Sequence, residues 1–172
     1  MTLNGNKKVS RVSFITDSYV NDYRDINFTS INISGTHRLG SLYAEGDTYN
    51  LTGITISDAN VDGTGDFVGG LIGYKHNNSS QKHFYITASD VHVTTSGGNY
   101  SGIVYGYGAA INVEVTNSSI AGNNLVGGIS GQQDTDSVYN NYLTNVTISG
   151  KASQIGGIYG THDSVYNSYV KD

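Results

Sequence analysis

The stretch Val126-Gly127-Gly128-Ile129-Ser130-Gly131 settles the architecture, because the chain writes it repeatedly. Val68-Gly69-Gly70-Leu71-Ile72-Gly73 and Ile155-Gly156-Gly157-Ile158-Tyr159-Gly160 are near copies. Looser versions stand at Val12-Ser13-Phe14-Ile15, Leu39-Gly40-Ser41-Leu42-Tyr43 and Tyr100-Ser101-Gly102-Ile103-Val104-Tyr105. With Ser13, Ser41, Gly70, Gly102, Gly128 and Gly157 taken as one column, the spacings are 28, 29, 32, 26 and 29 residues. A period in this range marks a solenoid, whose repeats bury their apolar faces only by stacking on one another.

Outward from the glycine block, two further strands complete each repeat. The second ends in an apolar residue followed by Thr, at Phe28-Thr29, Leu51-Thr52, Ile86-Thr87, Val115-Thr116 and Leu143-Thr144. The third carries an apolar residue four positions later, at Ile33, Ile56, Val91, Ile120 and Ile148. Ile31-Asn32-Ile33, Ile54-Thr55-Ile56 and Val146-Thr147-Ile148 alternate with period two, which sends apolar side chains inward and polar ones outward. Asn, Asp, Ser and Gly fill the turns. The chain has no Pro to interrupt a ladder and no stretch of helical period. The expectation is an all-β fold: a three-sided parallel β-solenoid of about six coils, roughly 29 residues per coil. It forms a single domain over residues 1–172, uncapped at both ends. Gly69, Gly70, Gly73, Gly102, Gly127, Gly128, Gly156, Gly157 and Gly160 are assigned to tight corners or close approach of neighbouring walls.

The two ends are in phase. Val165-Tyr166-Asn167-Ser168-Tyr169-Val170 copies Val138-Tyr139-Asn140-Asn141-Tyr142-Leu143, and Met1-Thr2-Leu3-Asn4-Gly5 matches Val146-Thr147-Ile148-Ser149-Gly150. A second copy set behind the first would continue the column with 28 residues between Gly157 and its Ser13. The expected partner is therefore a copy of the same chain, stacked head to tail; such a heterologous contact does not close on itself. The N-terminal edge is expected to offer Met1, Leu3, Val12, Phe14, Tyr19, Ile26 and Phe28. The C-terminal edge is expected to offer Val146, Ile148, Ile155, Ile158, Val165, Tyr169 and Val170. The alternative is a stalk or ligand-binding segment of a larger surface protein, and a remoter one is a polysaccharide-active enzyme on a solenoid wall.

Composition narrows the function. The net charge of −5 argues against nucleic acid and anionic membrane surfaces. No apolar run is long enough to span a bilayer, and no signal peptide is visible. There is no Cys to hold a metal or a disulfide. The carboxylates Asp17, Asp22, Asp25, Asp58, Asp62, Asp66, Asp134, Asp136 and Asp163 fall mostly in turns, while Asp90 and Glu114 stand alone within strand regions. His162-Asp163-Ser164 holds triad residue types, but a triad is made by spatial geometry and not by adjacency. The five His residues show no metal spacing. No catalytic residue, cofactor or metal is expected. Tyr139, Tyr142, Tyr166 and Tyr169 recur at matching positions and fit either stacked ladders or a glycan-facing surface.

The blocks Val68-Gly69-Gly70-Leu71-Ile72-Gly73-Tyr74, Val126 to Gly131 and Ile155 to Gly160 resemble the GLUG motif, as do the following Tyr-Asn-x-Tyr and Val-Thr-Ile-Ser-Gly pieces. The resemblance covers residues 36 to 172, with Ser41 in place of a Gly and Tyr105 in place of the closing Gly. It implies a structural or adhesive role at a bacterial surface, with a glycan or host-surface ligand as a further partner and an extracellular location. It carries over no catalytic residues.

Overall fold

A computed structural model describes residues 1–4, 13–18, 22–46, 50–76, 82–132, 138–151, 154–161 and 165–172. All regular structure among them is β, and every strand pairing is parallel, in sheets of ten, six, four and two strands. The chain is a β-solenoid of about five turns with about 28 residues per turn. The expected six coils correspond to six rungs, counted along the column Phe28, Ile56, Ala88, Val115, Leu143 and Val170.

Left-handed backbone turns the chain at three stacked corners. Asp25, Gly53, Tyr85, Asn112, Asn140 and Asn167 form one column, with φ between 43° and 67°. Ser30, Asp58, Asp90, Asn117 and Asn145 form a second, with φ between 49° and 54°. Arg38, Phe67, Tyr100 and Leu125 form a third, with φ between 50° and 64°. Asn and Asp tolerate this region better than other side-chain-bearing residues, which explains why they crowd the first two columns. Their amides also bond from rung to rung. Asn140 Nδ2 donates to Asn112 Oδ1 at 2.9 Å, and Asn145 Nδ2 donates to Asn117 Oδ1 at 2.8 Å.

The second and third strands of the expected repeat belong to one sheet, creased along the Ser30–Asn145 column. Asn27–Gly35, Asn50–Gly63 and Lys82–Thr95 each run through the crease without a break. The glycine block, expected as one strand, is two. Val68–Gly69 and Ile72–Lys75 lie in different sheets and are joined by a sharp turn. The first glycine of each pair has no alternative. A Cβ on Gly69 would lie 2.1 Å from the Ile72 carbonyl oxygen, and one on Gly127 2.0 Å from that of Ser130. Gly40, Gly102 and Gly156 stand at the same place in their rungs. The closing glycines Gly73, Gly106, Gly131 and Gly160 meet backbone on the adjoining limb or rung, so the two limbs pack with no side chain between them.

Register corrects three sequence alignments. Gly102 pairs with Gly69 and Gly127, so Ile103, and not Gly102, shares the column of Gly70, Gly128 and Gly157. The closing glycine of that rung is then Gly106, and Tyr105 stacks between Ile72 and Ser130. The threonine column runs Thr29, Ser57, Ser89, Thr116, Thr144; Thr52 and Thr87 are not in it. Ile56 belongs with Phe28, and Val91 with Ile31 and Ala59, so the third-strand column is Ile33, Val61, Val93, Ile120, Ile148. Chemically similar neighbours at period two mimic one another, and unequal turns hide the offset.

The core is a set of these columns. Ile54, Ile86 and Val113 are fully buried in one, and Leu71, Val104 and Ile129 in another. Each fully buried side chain of this kind contributes about 1.5–3 kcal/mol. Asn141 follows Val113 inward and is buried as completely. Its amide is satisfied: Oδ1 accepts from the Val113 N–H at 3.0 Å, and Nδ2 donates to the Ala110 carbonyl and the Tyr159 hydroxyl, both at 3.3 Å.

Candidate functional site

The columns that close the interior are left open at both edges. Leu143 and Val126 are fully buried, whereas the residues one rung beyond them, Val170 and Ile155, are 44% and 45% exposed. At the other edge Phe14 is 65% exposed, next in column to Leu42, which is 1% exposed. The N-terminal opening is a cavity of about 400 Å³ lined by Met1, Phe14, Tyr23, Ile26, Phe28 and Leu42. The C-terminal opening is a cavity of about 700 Å³ lined by Gly157, Ile158, Tyr159, Val165, Tyr169 and Val170.

The edges are stepped. Thr2–Asn4 pairs with Asn32–Ser34, so the third wall reaches one rung beyond its neighbours at the N-terminal edge. Leu3 heads the column Ile33, Val61, Val93, Ile120, Ile148. At the C-terminal edge the last described strand of that wall is Thr147–Gly150, while the second wall continues one rung further in Tyr169–Lys171. The same wall therefore projects at one edge and is recessed at the other.

Met1, Phe14, Ile26 and Phe28 line the N-terminal opening, with the Phe14 and Phe28 rings edge to face at 6.4 Å, and Leu3 is partly buried over Ile33. Phe28 is itself buried. Ile155, Ile158, Val165, Tyr169 and Val170 lie at the C-terminal opening, and Val146 and Ile148 are partly buried on the recessed wall. Val12 and Tyr19 lie outside the described residues. Tyr23 also lines the N-terminal opening, and Tyr166 lies in the last rung at the C-terminal edge. Tyr166 is half exposed and stacks on Tyr139 at 5.1 Å, and Tyr169 packs on Tyr142 at 4.8 Å. The matching Tyr-Asn-x-Tyr segments were the signal for Tyr166.

The groups weighed for chemistry do not converge. Asp90 sits on the second corner and Glu114 on the outer face of the second wall. Asp22 is held by Arg24 at 2.7 Å, and this ion pair lowers the Asp22 carboxyl below its ordinary range. Asp25 caps Gly53. Among the described residues no three His, Asp or Glu side chains gather as metal ligands. His162, Asp163, Ser164, Asp134 and Asp136 lie outside the described residues. Burial pushes the Tyr105 and Tyr159 hydroxyls up, and both remain protonated inside the coil.

A second cluster lies along the third corner. Phe67 stacks on Tyr100 at 4.8 Å, Tyr74 stacks on Tyr107 at 4.9 Å, and the Arg38 guanidinium lies over Phe67 and Tyr74. Glu45 pairs with Arg38 and with His76. The faces of these rings cover one another, so the cluster reads as a seam that ties three rungs together. Its sequence signal is the large residue just before each glycine block: Arg38, Phe67, Tyr100 and Leu125.

No protein-family model, curated protein or solved structure matches the chain.

Proposed function

We propose that this protein is a non-enzymatic structural subunit that stacks head to tail into a filament outside the cell. The observation that carries the reading is the pair of stepped, apolar edges whose columns are in register. In a stack, Val170 of one copy lies under Phe28 of the next, and Ile158 under Phe14. The strand Thr2–Asn4 of the next copy fills the recess beside Thr147–Gly150 and brings Leu3 onto Ile148. Tyr166 comes to face Arg24, a cation–π contact. Each junction repeats the contacts that hold one internal rung to another, and it pairs the strand edges that a monomer leaves open. The resemblance to GLUG repeats supports the extracellular, structural setting. The negative charge keeps the filament clear of nucleic acid and anionic membranes.

Electron microscopy and sedimentation of the purified chain test this. Fibres with an axial repeat of about 29 Å, six rungs at about 4.8 Å, are expected. Val170→Asp and Phe14→Asp should each abolish them while leaving the β-sheet circular dichroism of the monomer intact. A chain that stays monomeric at high concentration overturns the filament. It favours the second reading, a stalk segment whose edges are covered by further coils of the same repeat.

A further inference from the structure

The outer face of the second wall holds a groove of about 220 Å³ over the third, fourth and fifth rungs. It is an array of two columns by three rungs. Tyr85, Asn112 and Asn140 form the corner column, and Thr87, Glu114 and Tyr142 the column beside it. Buried Val113 is its floor.

Three features single this array out. Tyr85 holds left-handed backbone, φ 56°, at a corner where the other rungs carry Asp25, Gly53 and three asparagines, and it is 62% exposed. Left-handed backbone at a bulky residue is strained, and strain of this kind gathers at functional sites. Next, the amide ladder stops there. Asn167 donates to Asn140 and Asn140 to Asn112, but the next rung offers a phenol ring, so Asn112 Nδ2 meets no amide oxygen in the column. Finally, Glu114 lies on the same rung as Asn112 and sets a carboxylate acceptor beside that donor. The two tyrosines stand at diagonal corners, two rungs and two residues apart, roughly 12 Å.

We propose that this groove binds a neutral oligosaccharide of two or three sugar units. The C–H faces of sugar rings stack on Tyr85 and Tyr142. One hydroxyl donates to Glu114 and another accepts from Asn112 Nδ2, so that two neighbouring polar groups are satisfied by one ligand. Glu114 and the overall negative charge repel uronic acids and other anionic sugars. The groove stops one rung short of the C-terminal edge and, lying on the outer face, stays open in a filament or in a stalk. In a filament it would recur once per subunit, and weak single sites would gain avidity.

Calorimetric titration of the full chain with cellotriose, chitotriose, mannotriose and trigalacturonate tests the proposal; tyrosine emission is a second readout, since the chain lacks Trp. At least one neutral trimer should bind, and trigalacturonate should not. Tyr85→Asn continues the amide ladder; it should keep or raise the melting temperature and weaken binding roughly tenfold, the loss of one stacking contact. Glu114→Gln should admit the acidic trimer. Tyr166→Asn, at the edge, should leave binding unchanged. No neutral trimer bound at about 10 mM, beyond the range of useful affinity, overturns the groove. So does binding that survives Tyr85→Asn or is lost with Tyr166→Asn. The head-to-tail reading is judged by microscopy alone, so either can fail without the other.

Discussion

Leu143 and Val170 are neighbours in one column, yet the first is fully buried and the second is 44% exposed. Val126 and Ile155 repeat the contrast. Side-chain type differs little between interior and edge rungs; what differs is whether another rung lies beyond. A solenoid coil does not bury its own apolar face, and the next coil does it instead. The edge rungs carry the same kind of apolar side chain as the interior ones, and it is exposed there because no further rung covers it.

The contrast has measurable consequences. Leu143→Ala should cost about 2–5 kcal/mol, because it leaves a cavity in a packed column. Val170→Ala in dilute monomer should cost less than about 1 kcal/mol, and in the proposed filament it should chiefly raise the concentration needed for stacking. Urea unfolding of both variants checks this, and equal losses would break the comparison.

Alkaline unfolding probes the buried tyrosines of the interior. The Tyr105 and Tyr159 hydroxyls are pushed up by burial, whereas in the unfolded chain they ionise near pH 10. The unfolded state therefore loses protons first. Stability from this source is complete below about pH 10 and falls above it, by up to about 1.4 kcal/mol per pH unit for each hydroxyl. Urea midpoints should be level in this respect up to about pH 9.5 and drop beyond; a midpoint that holds to pH 11.5 contradicts the burial.

The amide ladder gives the smallest contrast. Asn140→Ala breaks the bonds to Asn112 and from Asn167 and puts Ala into left-handed backbone, at about 2–3 kcal/mol. Asn167→Ala, in the last rung, breaks one bond and also puts Ala into left-handed backbone, so it should cost about 1 kcal/mol less. Thermal melts of the two variants decide whether the ladder weighs more inside than at the rim.

Much of this was legible in the chain. The glycine blocks carried the period, and the alternation in Ile54-Thr55-Ile56 and Val146-Thr147-Ile148 told inside from outside. The match of Met1-Thr2-Leu3 to Val146-Thr147-Ile148 anticipated the column that Leu3 heads. The aromatic seam around Phe67 left only a faint trace, the large residue before each glycine block, and the groove beside Tyr85 was not legible, because each gathers residues from three rungs whose spacing varies with the turns between them. Tyr85 looked like one tyrosine among 14 until its backbone and its place in the asparagine column were known.

The all-β solenoid, its period and the inward and outward sides of its strands follow from local chemistry, since alternation and glycine placement act within a few residues and survive any choice of neighbour. Which residue lies over which was decided only in three dimensions. The offset of Ile103 against Gly70 and of Ser57 and Ser89 against Thr29, the crease along Ser30 to Asn145, and the step between the two edges all depend on hydrogen bonds between rungs about 28 residues apart. Period-two sequences fit several registers almost equally well, and the packing of the whole column selects one.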